Sequence, residues 1–190
     1  MESSRSLLPD PDNLAVGLMS VFTDVRSSGC ITIVNREPTP YASTFPCEIV
    51  TCRFQDGSEI RVFCKYPSGF HDTCHGHRGG LEYEIAVYAE VLQPLVLSKP
   101  RFFGRQADSI VGQPWLVLEC LDNNLQLHKA PNSAALILAA RWIAQFHKAG
   151  EARLASGAVP ALNAAHDEYY LGWVRRTFEF ASCMQPGLAK

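Results

Sequence analysis

Residues 47–66 read CEIVTCRFQDGSEIRVFCKY, and this stretch decides the fold. From Cys47 to Phe54 the side chains alternate, with Ile49 and Thr51 set against Val50 and Cys52, as expected of a strand with two different faces. Asp56-Gly57 is a strong hairpin signal, because the turn needs positive φ that glycine supplies without strain. A partner strand from Ser58 to Tyr66 follows. It ends in Val62-Phe63-Cys64-Lys65, where Phe63 and Lys65 share one face and Val62 and Cys64 the other.

Working outward, Ile31 to Asn35 reads as a short strand before the hairpin, and Arg36 to Phe45 as a polar, proline-containing loop. Before that, Asp10 caps a helix with Pro11 in its first turn and Leu14, Leu18, Val21, Phe22 and Val25 at helical spacing; Ser27-Ser28-Gly29 ends it. After the hairpin comes a Gly- and His-rich loop from Pro67 to Gly80, then a helix from Leu81 to Leu92 with Leu81, Ile85, Tyr88 and Leu92 on one face. Arg101 to Arg105 is a further strand, and Trp115 to Leu121 a continuous apolar run that suits a strand covered on both faces. Ser133 to Ala149 is a helix with a stripe of Leu136, Ala139, Ala140, Ile143 and Phe146; Gly150 stops it, and His147 sits at its C-terminal end. Ala161 to Ala181 is a last helix, rich in aromatics. The fold class is α+β: an antiparallel sheet of about five strands with one helix between the third and fourth. The expected segments are 1–29, helical; 30–122, the sheet; and 123–190, helical.

Composition narrows the functions. A length of 190 residues with 47% apolar residues supports a real core, and a formal net charge of −2 provides no basic field for nucleic acid. No apolar run is long enough to span a membrane, and no apolar leader segment is evident. Seven cysteines, an odd number at irregular spacing, indicate reduced thiols and a cytoplasmic setting.

The chemistry-bearing residues fall in a definite order. Lys65 ends the third strand, either as a solvated edge residue or as a ligand for phosphate. On the next helix Glu84 lies at the margin of the apolar face, within reach of Lys65, while Glu82 and Glu90 face water. Trp115-Leu116-Val117-Leu118-Glu119-Cys120-Leu121-Asp122 is a buried strand that runs into an acidic linker. His71, Cys74, His75 and His77 are potential metal ligands crowded into one loop, with no second ligand pair elsewhere.

In that order the chain resembles the amino-terminal lobe of the aminoglycoside phosphotransferase and choline kinase-like family. Pro40-Tyr41-Ala42-Ser43-Thr44-Phe45-Pro46 is similar to its phosphate loop, Phe63-Cys64-Lys65 to its nucleotide lysine, and His77-Arg78-Gly79-Gly80, followed by Tyr83-Glu84 and Val87-Tyr88, to its lysine-pairing helix. Leu116 to Leu121 is similar to its hinge, and Ala139 to His147 to a following helix. The resemblance covers roughly residues 30–180. It implies a protein-kinase-like lobe that binds ATP with Mg2+. Lys65 would meet the α- and β-phosphates, Glu84 would hold Lys65, Ser43 and Thr44 would meet phosphate, and Glu119 and Leu121 would offer backbone groups to adenine. The implied acceptor is a small hydroxyl-bearing substrate. The family's H-x-D-x-x-x-x-N catalytic loop is not found; His166-Asp167 lacks the spacing. The expectation is therefore a nucleotide-binding portion without its catalytic loop. Alternatively the chain is a non-catalytic module that binds a ligand or partner, with apolar surface on the last two helices available for self-association.

Overall fold

The computed structural model describes residues 8–22, 30–39, 45–67, 80–107, 114–122, 127–129, 133–157 and 167–184. The hairpin forms where the sequence places it. Strand β2 (Cys47–Arg53) and strand β3 (Glu59–Lys65) pair antiparallel from Cys47 opposite Lys65 to Arg53 opposite Glu59. Gly57 takes φ +82° at the turn, and Asp56 Oδ1 accepts the Ser58 N–H at 2.9 Å. Helix α1 (Pro11–Phe22) begins as expected, with Asp10 Oδ1 accepting the N–H groups of Asp12 and Asn13 at 3.1 and 2.9 Å.

Strand β1 (Thr32–Pro38) pairs antiparallel with β2 and runs three residues further than its sequence suggests. Arg36, Glu37 and Pro38, expected in a loop, extend the outermost strand. An edge strand tolerates polar side chains and a terminal proline, and Arg36 gains a partner by joining it. Strands β4 (Phe102–Ala107) and β5 (Pro114–Glu119) complete one five-stranded antiparallel sheet, in the order β1-β2-β3-β5-β4.

The sheet separates two apolar clusters. On one face Val50, Cys52, Val62, Cys64, Trp115 and Val117 pack against Leu14, Leu18 and Phe22 of α1. Gly17 allows that approach: a methyl group there would lie 2.5 Å from Trp115 Cζ3. On the other face Leu116 and Leu118 pack with Phe45 and with Leu81 and Ile85 of helix α2 (Gly80–Ala86). β5 is thus buried on both sides, as its unbroken apolar run predicts.

α2 continues as a π-helical segment, Val87–Leu92, where a single α-helix was expected. The wider turn changes the phase of the apolar face, so Val91 is buried and Leu92 only half-buried. After a 3-10 turn at Leu127–Lys129 comes helix α3 (Ala134–Ala155), which passes through Gly150. One glycine costs a helix only about 1 kcal/mol, and the good helix formers around it carry the helix onward. The chain leaves the helix at Gly157, φ +67°, so His147 lies in the helix interior and not at its end. None of the described α3 side chains is buried, so the expected stripe is no core stripe: Leu136 and Ile143 remain exposed.

Two compact units divide between Pro160 and Ala161. The first unit holds α1, the sheet, α2 and α3. α1 packs on the sheet there, and α3 is tied to the α2–β4 connection by hydrogen bonds from Trp142 Nε1 to Ser98 O (2.6 Å) and Arg153 Nη2 to Glu90 O (3.0 Å). The second unit contains helix α4 (Asp167–Met184); residues 161–166 of the expected helix lie outside the described residues. Among the described residues no helix is long and apolar enough to cross a membrane.

Candidate functional site

Alternation along β3 puts Arg61, Phe63 and Lys65 on the α2 side of the sheet. Lys65 closes the strand, opposite Cys47 on β2 and Leu116 on β5. Glu84 stands in α2 between the buried Leu81 and Ile85, so its carboxylate emerges at the margin of the helix's packed face. Lys65 Nζ donates to Glu84 Oε2 at 2.6 Å, and both side chains stay partly open to water. The ammonium also lies 5.1 Å from the centre of the Phe45 ring. A pair this open contributes on the order of 0–1 kcal/mol to stability, so its main effect is to fix where the cation sits. A lysine ammonium has three N–H donors, and Glu84 needs only one of them. Glu82 and Glu90 are exposed, as expected.

The surroundings are apolar. Burial raises the Cys47 thiol, and the charge of Lys65 offsets part of the rise, so the group beside the ammonium is a neutral thiol. Burial likewise raises Tyr88, with Glu84 adding to it; the ring stacks on Phe102 at 6.4 Å. One cross-strand row runs Glu37, Ile49, Phe63, Leu118, Phe102. Helix α2 and its π extension pack over the Leu118 and Phe102 end of this row, whereas Ile49 and Phe63 stay half-exposed. They form a partly covered apolar floor next to Lys65.

At the far end of the floor β5 gives way to the linker 120–122. Glu119 is opposite Val62, three residues from Lys65, or ~10 Å at strand spacing. Its N–H donates to Arg101 O at 2.8 Å and its Oε2 accepts the Arg101 N–H at 2.9 Å, so that N–H is committed within the sheet and the expected backbone contact cannot use it. Leu121 is partly exposed, and burial raises the nearby Cys120 thiol. Arg61 Nη1 donates to Asp122 Oδ1, and its Nη2 lies 3.6 Å from Glu37 Oε2.

The structure therefore brings Lys65 and Glu84 into contact, whereas Glu119, paired with Val62, is on the opposite face of the sheet, with Leu121 in the linker beyond it. Ser43 and Thr44 lie outside the described residues, as do His71, Cys74, His75 and His77. Among the described residues no group of three or more His, Cys, Asp or Glu is placed to hold a metal ion. Phe45, Phe63 and the Arg61–Asp122 pair were not singled out from sequence. Phe63 was within reach, since it shares the Lys65 face; the Arg61 contact depends on the path of the linker, which no local pattern encodes.

A second polar cluster lies on the α1 side. Glu48, 1% exposed, accepts two hydrogen bonds from Arg36 at 2.8 and 2.6 Å and one from Tyr66 Oη at 2.6 Å. Arg36 Nη1 also donates to Pro9 O at 2.8 Å, anchoring the start of α1 to the sheet. Every partner is satisfied, and the cluster reads as a structural tie. Comparison with protein-family models, with curated proteins and with solved structures finds no match.

Proposed function

We propose that this chain binds a nucleoside triphosphate, as the nucleotide-binding portion of an ATP-dependent small-molecule phosphotransferase of the aminoglycoside phosphotransferase type. The observation that carries the reading is the 2.6 Å Lys65–Glu84 pair beside the apolar side chains of Phe63 and Ile49. An ammonium held by a carboxylate on the helix after the third strand is what a phosphate-binding lysine in a kinase-like lobe requires. The five-stranded antiparallel sheet, with helix α2 between its third and fourth strands, agrees with such a lobe. Phe63 and Ile49 offer a flat surface for a base, and the ~10 Å from Lys65 to the linker suits the distance from phosphates to base.

Magnesium would arrive on the phosphates. The carboxylate nearest to Lys65, that of Glu84, is already engaged by it, so the described residues supply no acidic cage of their own. The sequence carries no H-x-D pattern to orient an acceptor hydroxyl. Binding without turnover is therefore the activity expected of the chain by itself. The reduced thiols agree with a cytoplasmic setting.

A non-catalytic binding module is the second reading. It is favoured by the exposed apolar side chains of α3 (Leu136, Ile137, Leu138) and of α4 (Val174, Phe178, Phe180), which offer surface for another protein. Calorimetric titration with Mg-ATP, run beside an assay of phosphate release, tests the proposal. Saturable binding is expected, with release at the uncatalysed rate. No binding at concentrations approaching millimolar would overturn the nucleotide reading.

A further inference from the structure

We infer that Arg61 is a positioning residue: it fixes the linker after β5 and thereby sets which base the site prefers. The inference rests on the nucleotide reading above and extends it from the phosphate end of the site to the base end.

The linker is held at two points. Glu119, the last residue of β5, exchanges two hydrogen bonds with Arg101, at 2.8 and 2.9 Å. Three residues on, Asp122 is bound by Arg61. Between these points lie only Cys120 and Leu121, and the Cys120 thiol itself lies 3.9 Å from Asp122 Oδ1.

Arg61 is placed for this task by register. Val62 is the last β3 residue paired with β5, so Arg61 is the first beyond the ladder, on the same face as Phe63 and Lys65. Its guanidinium reaches two acids at once, Asp122 on the linker and Glu37 on β1, while Glu37 Oε1 accepts from Asn35 Nδ2 at 2.9 Å. A planar fork can bridge two carboxylates from different elements, which a lysine's single point charge does poorly. One face of β3 thus carries two cations, Lys65 held by Glu84 and Arg61 held by Asp122, with Phe63 between them.

The two ends would act on different parts of a nucleotide. Adenine and guanine present opposite donor and acceptor patterns at their six-position edge, and a site tells them apart only if its own N–H and C=O groups are held in place. Loosening the linker should therefore cost discrimination between bases. Removing Lys65 should cost affinity for every triphosphate alike.

The test is to measure the Kd of Mg-ATP and Mg-GTP for the wild-type chain and for Arg61→Ala, Asp122→Asn and Lys65→Ala. The expected result is a wild-type preference for one nucleotide that falls about fivefold toward parity in both Arg61→Ala and Asp122→Asn. In Lys65→Ala both affinities should fall and their ratio should hold. Asp122→Asn keeps the side-chain shape at an exposed position, so it serves if Arg61→Ala disturbs the fold. An unchanged ratio in the two linker variants overturns the inference while leaving nucleotide binding intact, and so does a wild type that binds both nucleotides equally. A wild type that binds neither overturns the nucleotide reading itself, and the inference with it.

Discussion

Lys65 Nζ and Glu84 Oε2 lie 2.6 Å apart although 19 residues of sequence separate them. The pair joins the last residue of β3 to the middle of α2, with the Phe45 ring beneath the ammonium. Three separate stretches of chain therefore meet at one cation. Burial of Leu81 and Ile85 sets the rotation of α2 and so aims Glu84, while β3 pairing with both β2 and β5 fixes Lys65. The geometry follows from the packing around the pair more than from the pair's own energy.

Glu48 should be the most sensitive polar residue in the sheet. Glu48→Ala would strand the Arg36 guanidinium and remove the acceptor of Tyr66, at a cost of about 3–5 kcal/mol. Urea unfolding measures it. Replacing all three members with apolar residues, Glu48→Leu with Arg36→Met and Tyr66→Phe, should recover most of the loss, because neither a buried charge nor the buried hydroxyl is then left unpaired. A loss below about 1 kcal/mol in the single variant would show that the cluster does not anchor α1.

Two glycines in helices should respond with opposite signs. At Gly150 of α3 a methyl group meets nothing within 4 Å, so Gly150→Ala should stabilise the helix by about 0.5–1 kcal/mol. At Gly17 of α1 the same methyl would press on Trp115, so Gly17→Ala should destabilise by about 1–3 kcal/mol despite the better helix propensity. Thermal unfolding of the two variants side by side checks the contrast.

Alkaline pH should weaken the fold. Burial pushes the Cys52 thiol up from its ordinary 9.0 to about 12, and raises Cys64 as well. Burial and the neighbouring Cys64 and Glu48 raise the Tyr66 phenol above its ordinary 10.0. Each group keeps its proton in the folded chain at a pH where the unfolded chain has lost it. Stability from these groups is fully present below the unfolded values and is lost as pH rises through the folded ones. The decline should begin near pH 9 and reach up to ~1.4 kcal/mol per pH unit for each group involved. Unfolding free energies from about pH 8 to about pH 10.5 would show the slope, and Cys64→Ala should make it shallower. A flat profile would contradict the burial of these groups.

The hairpin was legible because its signals are local. The Asp56-Gly57 turn and the alternation on either side fix both strands and their register, and hence the shared face of Phe63 and Lys65. β5 was legible from its unbroken apolar run, and α1 from the Asp10 cap. The ends of elements were not. Arg36 joins the sheet because of Glu48 twelve residues away, and α3 passes through Gly150 because its neighbours favour helix. The π segment after α2 has no sequence signature that separates it from an α-helix with the same apolar residues. Of the site, the Lys65–Glu84 contact could be anticipated from strand and helix phase. The Arg61–Asp122 contact could not, since it arises from where the linker turns.

The proposed role of Lys65, a phosphate-binding cation held by Glu84, can be read out in solution. The most direct test is calorimetric titration of Mg-ATP into the wild type and into Lys65→Ala, with thermal unfolding of both as a control. Binding by the wild type is expected, with a loss of about tenfold to a hundredfold in the variant, equivalent to roughly 1.5–3 kcal/mol, and little change in the unfolding midpoint. Equal binding by the two proteins, or no binding by either, would contradict it.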